Sequence, residues 1–269
     1  MKAHNGRSSL KYFPGDDKAY QYIEEPPAGV EWKNFEIISH PATIHNARGR
    51  EDELTLDKGG FQFINSPSVE REFDDEECIK AQYYPEVEGL LKKATSAKRV
   101  VIFDHTLRRK LAEGTTDKPG NRGPELMVYI DQTPSASVER VKHHLPAEAD
   151  RLLGSRVRLI NVWRPIHHPV AHFPLADLIP IDFIYPTRRG ETYGVRHNPQ
   201  QKWYYLRDQA PDEVTLIKCY DPDETLARLM PHTAFEDETS PKDTPHRESI
   251  EVRALLQSRV LDGHDRPRS

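Results

Sequence analysis

From residue 157 onward the chain is a succession of short apolar runs, most of them separated by Pro or Gly. Residues 157–163 alternate at period 2, with Val157, Leu159, Asn161 and Trp163 on one side and Arg158, Ile160 and Val162 on the other. Phe183-Ile184-Tyr185, Tyr193-Gly194-Val195, Trp203-Tyr204-Tyr205-Leu206, Val214-Thr215-Leu216-Ile217 and residues 249–255 follow at short spacing. Such alternation puts successive side chains on opposite faces of a strand, one face toward a core. Many short strands divided by turn residues predict a β-sandwich or jelly roll. The 22 prolines, against 14 glycines, point the same way, because Pro interrupts helices and sits at strand ends and in loops.

Helices are expected mainly in the first half. Residues 74–95 form the best candidate, with Asp74 and Asp75 at the start and Lys92 and Lys93 at the end, both matched to the helix dipole. Pro85 is expected to break it in two. Residues 135–153 form a second helical region, broken at Pro146 and stopped by Gly154. Strands are expected at 37–44, 61–64, 100–103 and 126–131, with Asp104-His105 closing the third, and a polar loop at 113–124. These elements divide the chain into an extended arm at 1–36, a catalytic domain at 37–256 and a tail at 257–269. Pro14, Pro26 and Pro27 keep the arm from being helical.

Composition narrows the function. The formal charge is −5, from 38 basic and 43 acidic side chains scattered along 269 residues, which provides no positive field for nucleic acid. No run approaches the roughly 18 apolar residues that a membrane span needs. The mean hydropathy is −0.77, yet 3 Trp, 11 Tyr and 9 Phe are enough aromatic mass to build a core. Two cysteines, Cys78 and Cys219, exclude a disulfide framework and suit a reducing compartment. The opening residues show no apolar signal core. The expectation is a cytoplasmic protein that binds a small molecule and neither nucleic acid nor membrane.

Histidine is the informative residue type, with 13 copies. A non-haem iron oxygenase needs two His and one carboxylate on one face of the metal. On a jelly roll the usual pattern is His-x-Asp on one strand, a distal His later, and an Arg beyond it whose guanidinium grips the carboxylate of 2-oxoglutarate. The distal half is present: His232 is followed by Arg247 and Arg253, and Arg247, Ser249, Glu251 and Arg253 share one strand face. The proximal half reads Tyr129-Ile130-Asp131. Spacing alone leaves Asp131 and His232 open between a metal site and ordinary polar core positions.

The runs Asp131-Gln132-Thr133-Pro134, His143-His144-Leu145-Pro146, Asn161-Val162-Trp163-Arg164-Pro165-Ile166, His197-Asn198-Pro199 with Trp203-Tyr204-Tyr205, Pro231-His232-Thr233-Ala234-Phe235 and residues 247–253 together resemble one family. It is the fungal and bacterial hydroxylase/desaturase family of secondary metabolism, which includes gibberellin-desaturase-like proteins and relatives of a cephamycin methoxylase subunit. The resemblance runs from Ile37 to Leu256. It implies a mainly β, double-stranded β-helix fold (a cupin-like jelly roll) with flanking helices, and Fe(II)/2-oxoglutarate chemistry on a small natural product. The triad it carries over is Tyr129, Asp131 and His232, with Asp131 and His232 as iron ligands and Tyr129 or a recruited His as the third, and with Arg247, then Arg253, as the 2-oxoglutarate contacts. Beside it, Arg164 is read as a member of the catalytic set, and Asn161, Trp163, Trp203, Tyr204 and His105 as candidate substrate contacts.

The departures from the family open a rival reading. The family usually has His where Tyr129 stands, and tends to have His where Gln201 stands. A lost ligand weakens an iron site, and His105, His143 and His144 are the candidate replacements. The rival is a redox-neutral cyclase, isomerase or dehydratase without cofactor, in which Tyr129, Asp131, His232 and Arg164 act as acids, bases or hydrogen-bond donors. A third reading is a non-catalytic binding subunit, against which stand the retained Asn161, Trp163, Arg164, Trp203 and Arg247. For Arg164 the alternative to a pocket role is scaffold, stacked on Trp163.

Overall fold

The computed structural model describes residues 5–13, 19–22, 25–109, 121–122, 125–170, 178–184, 189–235, 243 and 245–258. Its strands, in chain order, are β1 (Gly6–Tyr12), β2 (Ala19–Tyr22), β3 (Ile38–Asn46), β4 (Phe61–Asn65), β5 (Arg99–Arg108), β6 (Asn121–Arg122), β7 (Tyr129–Ile130), β8 (Val157–Pro165), β9 (Leu178–Ile184), β10 (Arg189–Val195), β11 (Trp203–Tyr205), β12 (Glu213–Tyr220) and β13 (Ser249–Gln257). They form a mainly β jelly roll. The major sheet has the order β4-β12-β8-β13-β5-β6, and two smaller sheets have the orders β2-β9-β10-β7 and β1-β3-β11.

The alternation of β8 assigns the two faces of the major sheet. Leu159 and Trp163 point inward and pack with Ile217, Tyr12, Trp203 and Tyr205. Ile160 and Val162 point outward, onto Ile79, Tyr83, Val87 and Leu91 of the helical layer. That layer follows α1 (Leu56–Gly59) and consists of α2 (Glu76–Cys78), a π turn at Ile79–Tyr83 and α3 (Tyr84–Thr95). The expected break at Pro85 does not occur: α2 runs through the π turn into α3. Pro85 sits in the first turn after the widened segment, where its missing N–H and its ring are accommodated without loss of the helix axis. Asp75 caps the start, its carboxylate accepting from the Cys78 N–H at 2.7 Å. The second helical region divides as the sequence suggests, into α4 (Pro134–His144) and α5 (Ala149–Leu153), with Gly154 after it.

Three strands differ from expectation. The 126–131 strand contracts to Tyr129–Ile130. β5 does not end at Asp104-His105 but continues to Arg108, because a bulge re-phases it: Arg253 faces Asp104 while Ala254 faces Ile102. The arm is extended, yet it is integral to the sandwich. β1 runs antiparallel to β3 from Gly6 opposite Ile44 to Tyr12 opposite Ile38, and Leu10 and Tyr12 are buried. Of the loop at 113–124, residues 121–122 form β6 and the rest lie outside the described residues, as do 259–269 of the tail.

Candidate active site

The site starts from a main-chain device. Tyr129 and His232 form an antiparallel bridge outside the regular ladders. The His232 N–H donates to the Tyr129 carbonyl at 2.9 Å and the Tyr129 N–H to the His232 carbonyl at 3.3 Å. This pairing fixes the 129–131 segment against the 230–233 segment and brings the two side chains singled out in the sequence together. His232 Nε2 lies 3.6 Å from Asp131 Oδ2. The Tyr129 and His232 rings pack at 4.7 Å between centroids.

The hydrogen bonds assign the imidazole's lone pair. His232 Nδ1 is 3.3 Å from the Met230 carbonyl. A carbonyl only accepts, so the Nδ1 proton occupies that bond and Nε2 carries the lone pair. That Nε2 is buried with no hydrogen-bond partner, and it faces a carboxylate. Two acceptors held face to face suit a cation between them, and a backbone carbonyl on the far nitrogen is the usual support of a metal-bound His. Asp131 and His232 therefore fit a divalent metal.

Asp131 is held by a network behind the cavity wall. Asn161 Nδ2 donates to its Oδ2 at 2.5 Å and to Glu251 Oε1 at 3.0 Å, and the Cys219 thiol lies 3.5 Å from the same carboxylate oxygen. Arg253 lies 2.7 Å from Glu251, 3.9 Å from Asp131 Oδ1 and 2.7 Å from Thr106 Oγ1. Burial pushes the Asp131 carboxyl up, but neighbouring groups, the charge of Arg253 first and the Cys219 thiol and Arg108 after it, outweigh burial and hold it below the usual range. Asp131 is thus an anion at neutral pH. Burial, and then the charge of Asp131, push the Tyr129 phenol well above its ordinary value, so the third position is a neutral phenol.

Among the described residues no three of His, Cys, Asp and Glu converge as a metal set. The candidate replacements lie elsewhere. His105 Nδ1 is 2.8 Å from the Tyr84 hydroxyl and its Nε2 is 3.5 Å from Glu76, on the helical side of the major sheet. His144 stacks on Phe103 and His143 packs on His144.

The cavity itself has about 630 Å³ of empty space, its open mouth included. Phe61, Phe63, Tyr204, Leu206 and Ile217 make an apolar wall, and Arg108, Tyr129, Trp163, His232, Arg247 and Glu251 make the polar one. Arg247 lies over the Trp163 ring at 5.7 Å. Burial pushes its guanidinium down to about 9, with the positive charge of Arg108 adding to the effect.

Tyr129, Trp163, Tyr204, His232 and Arg247 thus line the cavity as the sequence suggested, with Asp131 and Asn161 supporting them. Four assignments are corrected. Arg164 follows Trp163 by one residue, so it points to the opposite face. There it donates to the Tyr83 hydroxyl at 3.0 Å, the Pro211 carbonyl at 2.6 Å and the Ser66 carbonyl at 2.7 Å, with its guanidinium over the Tyr83 ring. His105 is on the helical face for the same reason of strand phase. Trp203 is core, its indole N–H donating to the Tyr12 hydroxyl at 3.1 Å. Arg253 serves the carboxylates beneath the wall and is not part of the lining. Gln201 donates to the Arg196 carbonyl. The sequence reading missed Arg108 and Glu251. Glu251 was legible as the strand-face partner of Arg247, whereas Arg108 was hidden by the bulge.

The fold and this site define a jelly-roll oxidoreductase whose cavity presents an imidazole, a carboxylate and arginine. A family model described as "Oxidoreductase/YMDC permease-like domain" matches residues 10–257. The hydroxylase/desaturase efuI of Hormonema carpetanum is 34% identical over 249 residues, 81% of this chain and 83% of the relative. The Fe(II)/2-oxoglutarate-dependent dioxygenase nvfI of Aspergillus novofumigatus is 34% identical over 260 residues, covering 90% and 92%. A solved structure of the iron and alpha-ketoglutarate-dependent endoperoxidase NvfI superposes with a TM-score of 0.86 at 30% identity, over 96% of this chain and 99% of that one. The chain belongs to this hydroxylase/desaturase family of oxidoreductases.

Proposed function

We propose that the protein is an Fe(II)/2-oxoglutarate-dependent oxidoreductase of natural-product biosynthesis, working in the cytoplasm on a small organic molecule held against the apolar wall of the cavity. The observation that carries this reading is the unpartnered, buried Nε2 of His232 facing the Asp131 carboxylate at 3.6 Å. Asp131 and His232 are the residues that would hold the iron, and Arg247 is the one that would grip 2-oxoglutarate through its guanidinium. When bound, the iron and its cosubstrate supply the oxidising power that breaks a substrate C–H bond. The chain's own groups do the positioning. The Met230 carbonyl fixes the tautomer and tilt of His232, while Asn161 and Arg253 hold Asp131 anionic and oriented. Phe61, Phe63 and Tyr204 exclude water from an apolar substrate. The neutral Tyr129 hydroxyl offers a hydrogen-bond donor to an oxygen in the cavity.

Tyr129 is also the one observation that favours a second reading. It leaves two conventional side-chain ligands where the family usually has three, and a Tyr-Asp-His cluster can shuttle a proton without metal. Family membership ranks the oxygenase first. Anaerobic loading with Fe(II), followed by metal analysis and a count of succinate formed per product, separates the two. One succinate per product supports the oxygenase, and turnover with no loss of 2-oxoglutarate gives the assignment to the redox-neutral enzyme.

A further inference from the structure

A second cavity opens on the other face of the major sheet. It has about 500 Å³ of space, its mouth included, and lies between the loop after β4, the end of β8 and Pro211. Trp163, the neighbour of Arg164 on β8, lines the catalytic cavity, so the sheet itself separates the two. Ser68 and Arg164 line the second cavity from its buried side, 6% and 2% exposed. Phe73, Pro165, Ile166 and Pro211 give it apolar walls. Phe73 and His167, on opposite loops, both hold left-handed backbone with φ of 53° and 60°, a conformation rare outside glycine.

The polar groups here are unevenly matched. The Ser68 hydroxyl is buried with no hydrogen-bond partner, which is costly unless a ligand satisfies it. The Arg164 guanidinium bonds only neutral oxygens, those of Tyr83, Pro211 and Ser66. These engage one N–H each and leave a second N–H on both terminal nitrogens. A buried cation whose partners are all neutral favours an anion beside it. The neighbouring acids have partners of their own. Glu70 Oε1 accepts from the Glu72 and Phe73 N–H groups at 3.0 and 2.8 Å. Asp212 holds Arg71 at 2.7 Å, and Glu248 and Glu72 flank His167 at 2.5 and 3.4 Å. Their negative charge beside the entrance disfavours a dianion more than a monoanion.

We propose that this cavity is a second binding site, separate from the catalytic one, for a small organic acid with a single carboxylate. The carboxylate takes the remaining N–H groups of Arg164 and the Ser68 hydroxyl. The carbon skeleton lies against Phe73, Ile166 and the two prolines.

Ligand-observed NMR titration of the full-length protein tests this, with benzoate as the probe. Wild type should bind it with a Kd of about 1 mM or tighter. Benzyl alcohol, which keeps the ring and lacks the charge, should bind at least about tenfold more weakly. Ser68→Ala should weaken benzoate about fivefold, while its thermal midpoint holds or rises, because the hydroxyl has no bond to lose. Arg164→Lys should weaken it about tenfold, since charge remains but the planar fork is gone. If that variant fails to fold by circular dichroism, Ser68→Ala and Ser68→Val carry the test, the valine filling the place of the carboxylate and abolishing binding. Arg247→Ala, in the catalytic cavity, should leave benzoate affinity unchanged. No saturable binding below about 10 mM overturns the site, as do Ser68 variants that bind like wild type. Loss of binding in Arg247→Ala places benzoate in the catalytic cavity and also overturns it. Benzyl alcohol or inorganic phosphate binding as tightly as benzoate removes the organic-acid assignment.

Discussion

Tyr129 reaches the cavity from a two-residue strand, beside an imidazole with a buried, unpartnered nitrogen and a carboxylate held anionic. Replacing it by His adds a neutral nitrogen donor next to the pair that already faces a cation site. Tyr129→His should therefore tighten Fe(II) binding by more than about tenfold, since even changes beyond the direct ligands shift metal affinity that much. Metal retained after gel filtration is the measurement. Tyr129→Phe removes only the hydroxyl. It should leave Fe(II) retention unchanged, and it should abolish turnover if the phenol is the proton donor of a redox-neutral enzyme. Asn161 donates its amide to both Asp131 and Glu251. Asn161→Ala leaves two buried carboxylates short of a donor and should destabilise the fold by about 2 kcal/mol, read from the urea midpoint, while loosening the metal as well.

At the scale of elements, strand phase explains both what was legible and what was not. The alternation of residues 157–163 placed Asn161 and Trp163 inward correctly. The same alternation places Arg164 outward, and the run Asn161-Val162-Trp163-Arg164-Pro165 misled only because it was read as one motif and not as two faces. Arg164 should accordingly be a stability residue. Arg164→Leu strands the Pro211 and Ser66 carbonyls and the Tyr83 hydroxyl, and should cost about 3 kcal/mol in chemical denaturation while kcat per folded molecule is retained. β5 failed for the opposite reason. Its bulge between Ile102 and Asp104 breaks the period, so no alternation running from Val100 reaches Arg108 in the right phase. The helix at 74–95 was visible from its charged ends, but its continuity through Pro85 depends on a π turn, a backbone adjustment with no side-chain signature. Asp131 and His232 were legible as a pair only through the family resemblance, because His232 lies outside the described strands and is held against Tyr129 by main-chain hydrogen bonds, which carry no side-chain signature.

Across the whole molecule, acid stability should pass through Asp221. Its carboxylate is fully buried, with Arg156 at 2.9 and 2.6 Å and Lys218 Nζ at 2.9 Å. Lys218 also reaches Asp57 at 2.9 Å, which ties β12 to α1. Burial pushes the Asp221 carboxyl up, but Arg156 and then Lys218 more than reverse this, and it ends below its ordinary value. A depressed carboxyl stabilises the fold above its unfolded value of roughly 3.9, and the contribution is lost as pH falls through the lower folded value. Asp221→Asn should lower stability at pH 7 by about 3 kcal/mol and flatten the acid limb of a stability–pH curve measured by urea unfolding.

The bridge between Tyr129 and His232 has a consequence for how such a protein changes over generations. The distance between the Asp131 and His232 segments is set by two peptide hydrogen bonds, not by the side chain at 129. A mutation there exchanges one donor for another while the architecture stays put. Descent can therefore try new chemistry at that position without first having to rebuild the protein around it.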